Sequence, residues 1–328
     1  MINLIDPAIL FFILGMVAGL LKSNLEIPPQ ISRFLSLYLL MALGLKGGFA
    51  LAHSGITIEI TTSLGIAIVM SIVVPFLGYF FLKRFVSGYD AAGIAATYGS
   101  VSAVTFVTTV QYLEAREIVF GGYMAAAMAL MESPAIIVAV VLANIIRRSE
   151  ANQLKIMSGK PPKSISMLKI LHESFTDGGQ VLLLGAMVVG IISGAAGEHA
   201  MQPFSGDLFK GMLAFFLLDM GLMTSRNLPE LRNRSPILLG YAIVAPVLHA
   251  AMALGLAWVF GIASGDATLL MVLAASASYI AVPAVLRFAI PEANSSIYFG
   301  LSLGITFPIN ILFGIPIYSA IASHLLKP

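Results

Sequence analysis

Apolar residues along the chain gather in long runs separated by short clusters of charge, proline and glycine. Each run approaches the roughly 20 residues that a membrane-spanning helix needs. Reading from one interruption to the next predicts helices over about 5–21, 31–52, 60–85, 91–110 and 119–147, and a second set over about 180–197, 207–224, 236–262, 266–287 and 295–325. The first run has no basic residue before it and no small-x-small pattern at its end, so it reads as a retained helix rather than a cleaved leader. One extended polar stretch, from Arg147 to Gln180, holds Lys155, Lys160, Pro161, Pro162, Lys163 and Lys169, with an amphipathic turn expected near Ile165 to Phe175. The predicted organisation is therefore a five-helix unit over 1–147, a linker over 148–179 and a second five-helix unit over 180–328.

Composition agrees with this pattern: 59% of the 328 residues are hydrophobic and 10% are charged, which excludes an ordinary soluble domain. A net charge of +2 gives no basic field for nucleic acid, and the absence of cysteine removes thiolate chemistry and cysteine-based metal sites. Counting basic residues in alternate loops orients the chain. Fourteen of the 18 Lys and Arg residues fall on one side, and only Lys46, Arg116, Lys210 and Lys327 on the other. The linker is then cytoplasmic, and both termini are expected outside.

The halves resemble each other. A shift of 176 residues places Asp90 on Asp266, Ser100 on Ser276 and Ser102 on Ser278, while a shift of 177 brings Leu43-Gly44-Leu45 onto Met220-Gly221-Leu222. Five spans is an odd number, so the second copy enters the membrane from the opposite side. The expected fold is an all-α polytopic membrane protein with ten helices in a 5+5 inverted repeat, the plan of many secondary transporters.

Candidate chemistry lies where polar residues interrupt the fourth and ninth spans, at Gly99-Ser-Val-Ser102 through Thr105 and at Ala275-Ser-Ala-Ser278 through Pro283. Broken helices there would leave N–H groups and positive dipole ends that an anion satisfies and lipid does not. The candidate anion-binding residues are Ser100, Val101, Ser102, Ala103, Thr105, Ser276, Ala277, Ser278 and Tyr279, with tight helix packing as the alternative reading. Carbonyls of the opposite half-helix ends could hold a cation. Its side-chain candidates are Glu132, Ser278, Thr306 and Asn310, although Glu132 also fits a structural hydrogen bond. Asp219 fits either proton coupling or pairing with a neighbouring helix, His249 a packed core position, and Asp90 and Asp266 helix caps. The sequence contains no His-Glu-x-x-His, Gly-x-Ser-x-Gly or P-loop pattern, so no enzyme is expected.

Several segments are similar to the sodium-dependent bicarbonate transporter family first known from cyanobacteria. They are Leu43-Gly-Leu-Lys-Gly-Gly48, Gly99-Ser-Val-Ser102, Glu132-Ser-Pro-Ala135, Ala245-Pro-Val-Leu-His249 and Ile290-Pro-Glu-Ala-Asn294, followed by Tyr298 and Pro308. The resemblance implies sodium-driven bicarbonate uptake by an elevator-like movement of a core domain against a gate domain. It also implies a homotrimer in a bacterial plasma membrane and, in some members, a cytoplasmic PII-like regulator. No cofactor beyond a coupling sodium ion is expected. The ninth-span segment departs from the family pattern, with Tyr279 where an acidic residue is usual. The alternatives are therefore a sodium- or proton-coupled carrier of another small organic anion, and a non-transporting sensor on the same fold.

Overall fold

The computed structural model describes residues 6–54, 57–158, 178–231 and 234–327. Among these residues it is all-helical, and seven helices are long and apolar enough to cross a membrane, with shorter apolar helices at Pro7–Leu20 and Ser264–Ala275. In chain order α1 is Pro7–Leu20, α2 Pro29–Ser54, α3 Ile58–Leu82, α4 Gly88–Gly99, α5 Ala103–Glu114 and α6 Met124–Ser158. They are followed by α7 at Gly178–Met201, α8 at Phe209–Leu231, α9 at Pro236–Phe260, α10 at Ser264–Ala275 and α11 at Ala281–Ala289. A continuous final helix, α12, runs over Ser295–Leu325 with wide turns at Ser302–Thr306 and Asn310–Gly314. Residues 148–158, expected in the linker, continue α6. Most of the linker, including the expected amphipathic turn and the surface a regulator would use, lies outside the described residues.

Local sequence explains where these helices begin and end. Pro7 opens α1 behind the Asp6 carboxylate, which accepts from the Ala8 N–H at 2.8 Å, and Pro236 opens α9 behind Ser235. Gly261 ends α9 in the left-handed conformation that suits glycine.

Two close helix pairs set one part of the molecule: α1 lies along α8, and α2 along α7. Glycine permits both approaches. A Cβ on Gly44 would sit 2.3 Å from the Leu183 carbonyl oxygen, and one on Gly221 would sit 2.2 Å from that of Phe12. At Gly48 the Met187 oxygen would be 2.1 Å away, with the Gly190 Cα at 2.9 Å. Gly48→Val is accordingly expected to force α2 from α7 at a cost of at least about 1–3 kcal/mol. Thermal unfolding of the detergent-purified protein reads this as a lowered midpoint, whereas an unchanged midpoint would mean that the pair separates freely. The other part packs α3, α4 and α6 together and sets α10 against α3, α5, α9 and α12.

The aspartates at the starts of α4 and α10 do more than cap. Ser87, rather than Asp90, is the N-cap of α4, and Ala263 precedes α10. Asp90 accepts from the Asn294 N–H at 2.7 Å, in the loop after α11, while Asp266 accepts from the Gly121 N–H at 2.6 Å, in the loop after α5. The Tyr123 hydroxyl also donates to Asp266, and it pairs with Ser63 at 3.1 Å. Each carboxylate thus ties down a connector from the other half of the chain.

The connector after α11 is held a second time by Arg147. Its Nε and Nη2 reach the Glu292 carboxylate at 2.8 and 2.6 Å, and Nη2 also donates to the Ala289 carbonyl at 3.0 Å. The Arg147 guanidinium holds the Glu292 carboxyl below the usual carboxylate range. A carboxylate depressed in the folded state stabilises fully above its unfolded pKa of about 4.3, and loses that contribution as pH falls through the folded value. Glu292→Gln should remove this part of the acid sensitivity. The check is the difference in unfolding midpoint between the two proteins from pH 6 to pH 3, which should shrink as the pH drops.

Candidate functional site

The chain leaves helix twice at matched places, between α4 and α5 and between α10 and α11. At the first break Ser100 is extended, with φ −90° and ψ −173°, and Ser102 caps α5 by accepting from the Thr105 N–H at 3.2 Å. At the second Ser276 is extended, with φ −80° and ψ 169°, and the Ser278 hydroxyl accepts from the Val282 N–H at 3.3 Å. Pro75 of α3 packs where a side chain on Gly99 would otherwise lie, 2.1 Å from that Cβ position, which brings α3 against the first break.

The two breaks are bonded to each other. Ser276 Oγ accepts from the Ser102 N–H at 3.0 Å and donates to the Leu273 carbonyl at 2.8 Å, while the Ser278 N–H donates to the Thr97 carbonyl at 2.8 Å. Asn310 Nδ2 on α12 donates to the Ala275 carbonyl at 2.8 Å. Carbonyls at the half-helix ends are therefore engaged by protein donors, as an apolar surrounding requires. The N-terminal ends of α5 and α11 lie together at the crossing, each concentrating a positive dipole end.

A cavity of about 220 Å³ opens beside these N-termini. Val101, Ser102 and Ala103 line it from the first break, and Ser278, Tyr279, Ile280 and Ala281 from the second. Met128 and Glu132 of α6 and Arg33, Ser36, Leu37 and Leu40 of α2 form further parts of its wall, with Leu183, Gly178 and Gly179. Neither the Ser102 nor the Ser278 hydroxyl donates a hydrogen bond of good geometry among the described residues. Each oxygen receives a helix N–H, and the Tyr279 hydroxyl lies within reach of Ser102.

Of the sequence candidates, Val101, Ser102, Ala103, Ser278, Tyr279 and Glu132 come together on this wall. Ser100, Thr105, Ser276, Ala277, Thr306 and Asn310 are buried around the crossing without lining it. Thr306 donates to the Ala242 carbonyl at 2.8 Å, which leaves its oxygen to accept from the Tyr98 hydroxyl at 2.7 Å. Ser100 Oγ, Thr105 Oγ1 and Asn310 Oδ1 are buried with no hydrogen-bond partner among the described residues. The buried Tyr279 hydroxyl lacks one too, while its ring packs edge-on against Phe307 at 5.2 Å. Asp219 receives the Ser32 hydroxyl, whereas His249 is buried beside the Ala274 backbone with its Nδ1 unpartnered among the described residues.

Sequence reasoning counted Arg33 only among the cytoplasmic basic residues and missed the α2 wall. The signal was there: Arg33, Ser36, Leu37 and Leu40 follow i, i+3, i+4, i+7 spacing, so they share one helix face once α2 starts at Pro29. A second cavity of about 420 Å³ lies further along α2. Its wall includes Lys46, paired with Glu114 at 2.9 Å, and His53, paired with Glu198 at 3.0 Å.

An all-helical membrane chain whose interrupted helices cross beside a small cavity has the make-up of a transporter. The family model of the Na+-dependent bicarbonate transporter superfamily matches residues 7–323, nearly the whole chain, and the protein belongs to that family. The family is one of transporters rather than enzymes. No curated protein matches the chain.

Proposed function

We propose that the protein couples inward sodium movement to the uptake of bicarbonate, with the anion held at the crossing of the two broken helices. The observation that carries this reading is the convergence of two half-helix N-termini and two serine hydroxyls on one cavity. Those groups offer dipoles and O–H donors to a small oxyanion. The unpartnered oxygens of Ser100, Thr105 and Asn310 have the hard-ligand character that suits sodium, with Glu132 as a nearby carboxylate.

The ten-span inverted repeat is supported by the cross-tethers of Asp90 and Asp266, which sit at related positions and bind connectors of the opposite half. On that plan α1, α2, α7 and α8 form the gate. The remaining helices form a core that slides past it, carrying the anion from one side to the other. A competing substrate, a small carboxylate, is favoured by Tyr279 and by a cavity with room for more than a bicarbonate ion.

Coupling through one bound state makes each ligand tighten the other. Bicarbonate should therefore raise the thermal midpoint of the purified protein more in sodium chloride than in choline chloride. Acetate giving the larger rise would favour the carboxylate reading, and no rise with either anion would count against an anion site at the crossing.

A further inference from the structure

We propose that Arg33 is a specificity-determining residue, which takes the anion between the half-helix N-termini and the cytoplasm and selects planar anions with two oxygens. This rests on reading the cavity at the crossing as the anion site. Arg33 lies on the wall of that cavity yet belongs to α2, on the side facing the breaks. Its side chain is exposed and forms no hydrogen bond or ion pair among the described residues.

The face of α2 toward the cavity is graded. Arg33 and Ser36 supply polar groups at one end, while Leu37 and Leu40 close the other. The next basic residue on this helix, Lys46, is about 20 Å further along the axis and is occupied by Glu114. Among the described residues that line the cavity, the one cation an anion meets on leaving the dipole ends is Arg33, at the end of α2 that the distribution of basic residues assigns to the cytoplasm. Among the described residues the wall carries one basic and one acidic side chain, Arg33 and Glu132.

The guanidinium decides which anion is favoured. Its planar fork presents two parallel N–H donors that match the two oxygens of a carboxylate or bicarbonate, and a spherical halide satisfies that geometry poorly. Lysine keeps the charge and loses the fork, so Arg33→Lys separates recognition from simple attraction.

The test uses proteoliposomes holding the full chain in one orientation, with exchange of labelled bicarbonate measured from each face and with formate and chloride as competitors. For Arg33→Lys the cytoplasmic-face KM should rise about tenfold, the outer-face KM should stay within about twofold, and the preference for formate over chloride should fall about tenfold. Equal KM changes at both faces, or unchanged KM and unchanged anion preference, would overturn the proposal. A role in folding alone would lower the maximal rate from both faces without altering preference, and also counts against it. Binding read by thermal shift separates this idea from its parent. Stabilisation by formate that Arg33→Lys abolishes, in a protein that moves no bicarbonate, would keep the Arg33 site and remove the bicarbonate reading. If formate fails to stabilise the wild-type protein, the Arg33 proposal falls as well.

Discussion

Ser102→Ala and Ser278→Ala should each weaken anion affinity by about ten- to a hundredfold, with the double variant worse than either. The estimate follows from the position of the two hydroxyls. Each accepts a helix N–H, from Thr105 at 3.2 Å and from Val282 at 3.3 Å, and each lies on the cavity wall, where its O–H can turn to a bound anion. A hydrogen bond to a charged group contributes about 1.5–3 kcal/mol, and about 1.4 kcal/mol is a factor of ten in affinity. The lost cap costs the fold about 1 kcal/mol per serine. Uptake kinetics should therefore show a large rise in KM beside a modest fall in thermal midpoint. A fall in midpoint with an unchanged KM would return both serines to a packing role.

Asp266→Ala should be the most destabilising of the single substitutions at polar positions. The carboxylate is buried and receives both the Gly121 N–H, which would be left without a partner, and the Tyr123 hydroxyl, which would keep only Ser63 at 3.1 Å. A buried donor left unmet costs about 1–3 kcal/mol and a lost hydrogen bond about 1 kcal/mol, so a total of about 2–4 kcal/mol is expected. Asp266→Asn keeps an acceptor oxygen and should recover about half of that. The related change Asp90→Ala should cost less, because the Asp90 contacts with Ser87 and Asn294 are exposed to water. Thermal unfolding of the three variants gives the ranking. Equal losses at Asp90 and Asp266 would mean that burial does not set the strength of the tethers.

Much of this was legible before any coordinates. Long apolar runs gave helix positions within a few residues, because a membrane helix satisfies its own backbone and tolerates few polar interruptions. The same logic located both breaks, since Ser100 to Ser102 and Ser276 to Ser278 are polar where lipid or packing would favour apolar groups. The partners across the fold could not be read. Nothing in the spacing says that Ser276 receives the Ser102 N–H, or that Asn310 takes the Ala275 carbonyl, because those bonds depend on how helices far apart in sequence come together. Asp90 and Asp266 read as caps for the same reason, as their local context fits a cap and their real partners are distant. Arg33 already fell inside the helix expected over 31–52, but nothing in the sequence says which distant elements its face of α2 would meet.

The most direct measurement is labelled bicarbonate uptake into proteoliposomes under an inward sodium gradient. The account predicts accumulation well above empty liposomes, abolished when potassium replaces sodium and strongly reduced by the Ser102→Ala, Ser278→Ala double variant. Uptake no greater than that of empty liposomes, or equal uptake with and without sodium, would contradict it.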